Sequence, residues 1–296
     1  MGNTWIAVDW GTTNFRAFLM NGDGACIEEK SAELGLLSVA DKRFDQALKA
    51  QLGSWLNQTT NIYMAGMVGS KQGWIEAKYV SLPATPEQFL QHSVAIQQGW
   101  ASSVKIVAGA TCINACGQPD VMRGEEVQLI GLSRIANQNN FSAILPGTHS
   151  KHAIWHQGKL ESFATYMTGE LFSLLKKHSI LGLNLDQQSL SSQTFYLGLE
   201  LGYEQSLNSI LFSARTNRLF EKIAEKDVLE YLSGLLIGNE LSHLNREEKH
   251  YVIGSESLSN KYAIALDFLN YQGEIVSGQA CFLEGMYQFY RLDLDK

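Results

Sequence analysis

The 296-residue sequence is 45% hydrophobic and 18% charged, enough apolar character for one large core or two cores of about 130 to 150 residues each. Its net charge of -7 argues against an extended nucleic-acid-binding surface, which depends on clustered lysine and arginine. No stretch reaches the roughly 18 apolar residues of a membrane span and the N-terminus lacks the regions of a signal peptide, so we predict a cytoplasmic protein without nucleic-acid or membrane partners.

The chain opens with a predicted three-stranded meander. The β-branched and apolar run 4–9 predicts a strand, and Gly11-Thr12-Thr13 predicts a tight turn after it. Residues 14–20 alternate in character like a second strand. The sequence Asn21-Gly22-Asp23-Gly24 is a strong hairpin signal before a third strand over 26–33. The first turn is therefore unusually small and polar for the end of a buried strand.

The rest of the first half combines helical and strand signals. Apolar residues recur at helical spacing over 41–55, and the runs 61–65 and 104–108 are typical of strands. A further helix is predicted over about 121–136. Gly124 and Gly131 within it each cost about 1 kcal/mol relative to alanine, which indicates that another element approaches this helix closely.

The second half repeats the pattern of the first. An apolar run over 141–146 leads into the polar turn Gly147-Thr148-His149-Ser150, which is followed by predicted strands over 151–156 and 159–166. Gly11 aligns with Gly147, and Thr12 aligns with Thr148. A repeat of this length is too long for a solenoid unit and indicates a duplicated domain.

Helices dominate the remainder of the chain. Apolar residues three and four positions apart predict helices over 169–178, 208–220, 227–244, 255–269 and 279–290, with one strand over 251–254. We place the two lobes at 1–133 and 134–278, and 279–296 as a helix that packs back toward the first lobe. Because the chain has four prolines and no low-complexity linker, we expect the lobes to meet across a shared ligand-binding cleft.

The two polar turns suit phosphate. Because such turns present backbone N–H groups and hydroxyls in a small space, we expect Gly11-Thr12-Thr13 and Gly147-Thr148 to bind phosphate oxygens. Asp9, at the end of the strand before the first turn, is then placed to meet a magnesium ion on those phosphates. A hairpin turn with a structural aspartate is the alternative for the first turn alone. The second turn favours a nucleotide held by both lobes.

A carboxylate on the helix that joins the lobes is the candidate for proton transfer. Phosphoryl transfer requires that the nucleophilic hydroxyl be positioned and its proton accepted, which one Asp or Glu can do. We assign that role to Glu125 in the first turn of the helix, with Glu126 as its solvated or arginine-paired neighbour. Two ordinary surface charges are the alternative.

Three histidines follow the second turn and invite comparison with a zinc site. His152 and His156 share a face of the predicted strand, but their backbone positions stand about 13 Å apart by strand rise. We therefore expect His149, His152 and His156 to have ordinary polar or packing roles.

These motifs resemble a known family. The run Asp9-Trp10-Gly11-Thr12-Thr13-Asn14-Phe15-Arg16 resembles the first phosphate loop of sugar kinases in the actin, Hsp70 and hexokinase superfamily. More closely, five strings in order resemble the 2-dehydro-3-deoxygalactonokinase family across essentially the whole chain: Met64–Ser70, Met122–Glu126, Pro146–Lys151, Met167–Leu171 and Leu232–Gly238. The resemblance implies an α/β fold of duplicated ribonuclease H-like domains, of the actin-like ATPase type, with a central interlobe cleft.

The same resemblance implies the reaction and its cofactors. It implies transfer of the γ-phosphoryl group of ATP, with Mg²⁺, to O6 of 2-dehydro-3-deoxy-D-galactonate in galactonate catabolism. Gly124-Glu125 sits where related kinases carry glycine and a catalytic aspartate, and the longer side chain leaves the choice between Glu125 and Glu126 open. Gly254 and Ser255 lie where the adenosine motif is expected. The last helix resembles a second connecting helix, which packs on the first where small side chains allow a close crossing.

A sugar acid requires hydrogen-bond donors for its carboxylate, and arginine suits that contact. The substrate-binding candidates near the predicted cleft are Asn14, Arg16, Ser70, Lys71 and Arg123, with Trp74 for the sugar ring. Two alternatives stay open, namely a kinase of another sugar or sugar acid and an actin-like nucleotide hydrolase or scaffold. The sequence leaves homo-oligomerisation open as well.

Overall fold

The computed structural model describes residues 4–56, 60–183, 185 and 188–295, so the first three residues, used above in the argument about a signal peptide, lie outside the described part. The chain divides into two compact units. The first is built from Met1–Asn140, Ala153–Phe163 and Gly278–Lys296, and the second from Phe141–His152 and Ala164–Ser277. Each unit is described by itself below.

The first unit is built on a six-stranded sheet in the order β3-β2-β1-β4-β7-β6. Strands β1 to β3 form the predicted antiparallel meander, β4 and β7 add parallel to β1, and β6 is an antiparallel edge. The bounds are β1 Trp5–Trp10, β2 Phe15–Met20, β3 Cys26–Ala32, β4 Asn61–Ala65, β6 Val94–Ile96 and β7 Ser103–Ile106. The buried residues of β1 and β4 pack with those of the first helix into the core of this unit.

A small second sheet and a set of α-helices complete the described part of the first unit. The sheet has the order β5-β8-β9, with β5 at Val80–Ser81, β8 at Ala110–Ile113 and β9 at Pro119–Met122. The helices are α1 Phe44–Leu52, α2 Pro86–Gln91, α3 Glu125–Ile135 and α10 Gly278–Leu294. The predicted helix over 121–136 therefore begins later, because Val121 and Met122 pair with β8 and only Gly124 turns the chain into α3.

A five-stranded sheet in the order β12-β11-β10-β13-β14 carries the second unit, although Asn140 and the strand residues within Ala153–Phe163 are assigned to the first unit. Its strands are β10 Asn140–Leu145, β11 Ser150–His156, β12 Lys159–Tyr166, β13 Lys249–Gly254 and β14 Gln272–Ser277. Strands β13 and β14 add parallel to β10, as β4 and β7 add to β1. In both sheets an antiparallel meander of three strands is extended beside its first strand by two parallel strands, which is the arrangement of a ribonuclease H-like domain and confirms the predicted duplication.

In the ranges that the structure describes, the α-helices beside this second sheet are α4 Thr168–His178, α5 Ser192–Glu204, α6 Leu207–Ile210, α7 Ser213–Leu219, α8 Val228–Leu241 and α9 Glu256–Phe268. The prediction of one helix over 208–220 is wrong, because Ser213 Oγ donates to the carbonyl of Ile210 where α6 ends and α7 begins. Helix α5 and strand β14 were not predicted. Helix α5 contains Gly198 and Gly202, which pack on α8 and weaken its helical signal, and β14 is mostly exposed with little alternation.

The predicted close crossing of the last helix on the first connecting helix is confirmed. A Cβ atom at Gly131 of α3 would lie 1.8 Å from the carbonyl oxygen of Cys281, and one at Gly285 of α10 would lie 2.0 Å from that of Val127. The two backbones therefore touch at reciprocal glycines. At its C-terminal end α10 is also fixed by Asp293, which accepts hydrogen bonds from Tyr63 and Lys105.

Replacement of Gly285 by alanine is expected to destabilise the protein by at least the roughly 1 to 3 kcal/mol typical of overpacking, because backbone atoms rather than flexible side chains occupy the space. Thermal denaturation measures the change. The matched control is Gly99→Ala, because a Cβ there has no neighbour within 4 Å. Equal melting temperatures for the two variants would contradict the close crossing.

None of the helices in the described ranges is long and apolar enough to cross a membrane. The four cysteines all lie in the described ranges and none of them forms a disulfide there; Cys112 and Cys281 are buried, and Cys26 and Cys116 are exposed.

Candidate active site

The first polar turn lies at the end of the central strand of its sheet. Strand β1 ends at Trp10, and the N–H of Gly11 donates to the carbonyl of Asn14 at 2.9 Å, which closes the turn. Thr12, Thr13 and Asn14 are exposed. The turn therefore offers two hydroxyls and an amide to a ligand.

A cavity of about 510 Å³ opens beside this turn. Five of the predicted site residues line it, namely Asp9, Gly11, Thr13, Asn14 and Arg16, together with Phe15, Ser31, Ala32 and Glu33. Among the described residues, the predicted ligands Thr12, Ser70, Lys71, Trp74 and Arg123 are not part of that lining. The structure thus brings together one half of the predicted first-lobe site around a single opening.

Asp9 and Arg16 form an ion pair at the mouth of this cavity. They face each other in the register of β1 and β2, and Arg16 Nη2 donates to Asp9 Oδ2 at 2.6 Å. Both side chains remain about one third exposed, so the pair is reachable from solvent. One partly exposed carboxylate fits a magnesium ion that takes its other ligands from water and phosphate. No cluster of three metal-ligating side chains was found in the part of the chain that the structure describes.

Two glycines join the first turn to the start of helix α3. Gly66, just after β4, has φ +95°, and a Cβ there would lie 2.9 Å from the carbonyl oxygen of Trp10 and 3.3 Å from Asp9 Oδ1. Gly124 has φ +109°, and its Cβ would lie 3.4 Å from the Cα of Gly66. Only glycine adopts such backbone angles without strain. The chain therefore folds so that the residue after Gly124 begins close to Asp9.

That residue is Glu125, the first of α3, and its neighbour Glu126 points into the interior. Glu125 is half-buried, and its Oε2 accepts a hydrogen bond from the N–H of Arg123 at 3.0 Å. Glu126 is fully buried, and its two oxygens accept from the N–H of Gly124 at 2.9 and 2.7 Å. Burial, together with the smaller effect of the negative charge of Glu125, raises the pKa of Glu126 to about 8. Of the two acids, Glu125 is the one that a ligand can reach.

Arg123 lies beneath the loop that follows Gly66. The residue is 9% exposed, and its guanidinium donates from Nη2 to the carbonyl of Ala77 at 2.7 Å and stands 4.5 Å over the ring of Tyr79. Its Nε and Nη1, and Ser70 Oγ in the same loop, are buried without a hydrogen-bond partner. Buried donors of this kind are normally satisfied, so water or a ligand oxygen would complete them.

The two other predicted residues of this loop differ in their surroundings. Lys71 is exposed. Trp74 is half-buried, and its ring stacks against Phe44 with centroids 6.4 Å apart. Trp74 therefore has a packing contact in addition to the sugar contact that the sequence predicts.

The second polar turn, in the other unit, interlocks with the start of helix α4. A Cβ at Gly169 would lie 2.3 Å from the carbonyl oxygen of Gly147, and the N–H of Glu170 donates to the carbonyl of Thr148 at 2.9 Å. His149 and Glu170 are paired at 2.5 Å between Nε2 and Oε2. Thr148 remains exposed. The contacts with Gly169 and Glu170 therefore fix the backbone of this turn, whereas the side chain of Thr148 is open to solvent.

A second cavity, of about 210 Å³, extends from this turn between α4, α8 and α9. Its lining is largely apolar with a few polar groups, which is typical of small-molecule sites. The lining residues are Gly147, Thr168, Gly169, Phe172, Ser233, Leu236, Ile237, Ser257, Leu258, Lys261 and Tyr262. Lys261 Nζ is held by Glu230 at 2.9 and 3.0 Å and lies 3.5 Å from Ser233 Oγ.

The two predicted adenosine residues, Gly254 and Ser255, are not part of the described lining of this cavity. Gly254 ends β13 and Ser255 caps α9, whereas Ser257 and Leu258, which follow them, belong to the described lining. The sequence does not indicate that Phe172, Ser233 or Lys261 belongs to a binding site. Two of them lie in or next to strings that carried the family resemblance, but nothing in those strings marks which side chains face a cavity.

Comparison with known proteins gives a consistent result. The model of the 2-keto-3-deoxy-galactonokinase family matches residues 9–289. The 2-dehydro-3-deoxygalactonokinase of Escherichia coli strain K12 is 33% identical over 287 residues, covering 95% of this chain and 96% of that protein. A protein of Rhizobium meliloti strain 1021, provisionally assigned the same activity, is 32% identical over 273 residues and covers 89% of each chain.

A solved structure agrees with these sequence matches. The crystal structure of a protein from Sinorhizobium meliloti, provisionally assigned as a 2-dehydro-3-deoxygalactonokinase, superposes with a TM-score of 0.90 at 30% identity. The match covers 97% of this chain and 98% of that one.

Proposed function

The chain belongs to the 2-keto-3-deoxy-galactonokinase family, and from that premise we propose that it transfers the γ-phosphoryl group of ATP to O6 of 2-dehydro-3-deoxy-D-galactonate. The observation that carries the proposal is the junction of Gly66 and Gly124, which sets Glu125 close to Asp9 and the first polar turn. The proposed proton acceptor and the proposed phosphate-binding turn would then lie on elements that meet through Gly66 and Gly124. Phosphoryl transfer needs that combination.

Glu125 is the proposed proton acceptor. It would orient the O6 hydroxyl of the acid and take its proton as the new P–O bond forms, while the bond from the γ-phosphorus to its bridging oxygen breaks and ADP leaves. Because Glu125 lies in the first turn of α3, O6 and the transferred phosphoryl group would also lie near the N–H groups of the helix N-terminus. A helix N-terminus stabilises negative charge.

The two turns are proposed to bind the phosphates of ATP. Gly11-Thr12-Thr13 and Gly147-Thr148 offer exposed hydroxyls and backbone N–H groups. Asp9 would hold the magnesium ion, which supplies positive charge against the phosphate oxygens. The cavity between α4, α8 and α9 is proposed as the nucleoside site, and Gly254 and Ser255, which precede the lining residues Ser257 and Leu258 in the chain, are proposed to contact the adenosine there.

The acid is proposed to bind around the first cavity and the loop after Gly66. Asn14 and Arg16 line that cavity, and Arg123 and Ser70 hold buried donors without partners. Lys71 and Trp74 belong to the same loop. Arginine is the residue best suited to a carboxylate, so Arg16 and Arg123 are the candidates for that end of the substrate.

Acceptor-dependent release of ADP tests the proposal. Purified protein with ATP, Mg²⁺ and 2-dehydro-3-deoxygalactonate should form the 6-phosphate, identified by phosphorus NMR and mass spectrometry. The C4 epimer, other sugar acids and sugars serve as alternative acceptors. Turnover of one of these with none of the galactonate derivative would contradict the substrate, and phosphate release without any acceptor would indicate a hydrolase.

Replacement of Asp9 by asparagine is expected to raise the Mg²⁺ concentration needed for half-maximal activity by about tenfold, because an amide is a weaker ligand of a hard cation than a carboxylate. Activity measured against Mg²⁺ at saturating ATP checks this. Asp23→Asn, the same change in the exposed turn between β2 and β3, is the control. An unchanged Mg²⁺ requirement in Asp9→Asn would remove Asp9 from the metal site.

A further inference from the structure

A single buried carboxylate in α8 binds groups from three other elements of the second unit. Glu240 is 2% exposed. Its Oε1 accepts from Ser150 Oγ at 2.7 Å and His152 Nε2 at 2.9 Å, and its Oε2 accepts from Tyr262 Oη at 2.6 Å and from Thr168 Oγ1. Four donors thus occupy the capacity of the two carboxylate oxygens.

These donors stand around the second turn and its cavity. Ser150 is the last residue of the turn, and Thr168 is the first of α4, whose next two residues pack on Gly147 and bond to Thr148. Thr168 and Tyr262 also line the nucleoside cavity. Glu240 therefore connects the strand that leaves the turn, the helix that supports the turn and the wall of the cavity.

The charge of Glu240 is stabilised locally. Burial would raise the pKa of Glu240, but the hydrogen bond and charge of His152, with the hydroxyls of Ser150 and Thr168, lower it below its ordinary value. The ring of His152 is itself packed on Tyr166, with centroids 4.4 Å apart. Because its oxygens are saturated and buried, Glu240 is not available as a direct ligand of a nucleotide.

We propose that Glu240 is a positioning residue, which fixes Ser150 and Thr168 so that the second turn and the adjacent cavity are preformed for ATP. The inference rests on the proposed function, because it takes the second turn to bind phosphate. Its chemical basis is that an uncharged amide at position 240 would present N–H groups where the carboxylate accepts two hydrogen bonds. The turn and the start of α4 would then lose part of their common anchor.

Replacement of Glu240 by glutamine in the full chain tests this inference. The dissociation constant for ADP, measured by calorimetry, and the KM for ATP should each rise about tenfold, as expected for lost hydrogen bonds to a buried charge. The KM for the sugar acid should stay within about twofold. A residue with a merely structural role would not produce this split. The matched control is Glu248→Gln, which removes the same charge from the same unit beside Ser142 and Asn245.

Ser150→Ala keeps the test decisive if Glu240→Gln does not fold. It removes one hydroxyl at the end of the turn and should raise the ADP dissociation constant by about threefold or more. A folded Glu240→Gln with wild-type ADP affinity would overturn the inference, as would an unfolded one accompanied by a Ser150→Ala variant with wild-type affinity. Wild-type protein that binds no ADP would instead overturn the nucleotide-binding function itself, and the inference with it.

Discussion

Replacement of Glu125 by glutamine is expected to lower kcat by about 10²- to 10⁴-fold, the range typical of losing a general base. The amide has the same shape as the carboxylate and cannot take the proton of the acceptor hydroxyl. Because Glu125 is half-buried at the start of α3 and glutamine keeps a side-chain oxygen that can accept from the N–H of Arg123, as Oε2 does at 3.0 Å, the change should leave the fold intact. The KM for ATP should change little, since the substitution leaves both phosphate turns unaltered.

The neighbouring acid provides the matched control for this experiment. Glu126→Gln makes the same chemical change one residue further on, but at a side chain that no ligand can reach. It should retain kcat to within about tenfold, a change smaller than the loss of a general base. Single-turnover kinetics separate the chemical step from product release. A large loss of kcat in Glu126→Gln together with near wild-type turnover in Glu125→Gln would reverse the assignment of the base.

The two meanders were predictable because their signals are local. The alternating residues after Gly11 and the turn Asn21-Gly22-Asp23-Gly24 define β2 and β3. The same order of polar turn, strand, hairpin turn and strand recurs from Gly147, which indicates the duplication. Residues adjacent in sequence form these hairpins, so periodicity and turn chemistry are sufficient. The small residues of α3 and α10 likewise predicted a close crossing, although not that Gly131 and Gly285 would lie against each other's helix backbone.

The interior of the site was not predictable in the same way. Glu125 and Glu126 differ by one position in sequence, and only the exit of β9 through the positive φ of Gly124 decides that Glu126 is buried and Glu125 is open. Glu240 reads in the sequence as one more helical charge. Its partners Ser150 and Thr168 stand 90 and 72 residues away, so only the tertiary fold brings them together. Such contacts depend on packing rather than on local propensity.

The buried side chain of Glu126 is expected to make the free energy of unfolding depend strongly on pH. Its pKa is raised from 4.5 to about 8 by burial and by the charge of Glu125, so the folded protein keeps a proton that the unfolded chain has lost at intermediate pH. The folded state then binds more protons than the unfolded state, and the free energy of unfolding falls as pH rises. This stabilising contribution is fully present below pH 4.5 and is lost as pH rises through about 8. The slope for one such group is about 1.4 kcal/mol per pH unit.

Glu126→Gln is expected to remove this dependence, because glutamine resembles the protonated acid and does not ionise. The variant should gain a few kcal/mol of stability relative to wild type between about pH 5 and about pH 9, most of it by about pH 8. Urea denaturation across that range measures the difference. The control Glu87→Gln makes the same change at an exposed position in the first turn of α2 and should follow the wild-type curve. If Glu126→Gln instead tracked the wild type at every pH, Glu126 would be ionised in the folded protein at neutral pH. The N–H groups of Gly124 and Glu126 and the positive charge of Arg123, all of which favour the ionised form, would then have to outweigh the effect of burial.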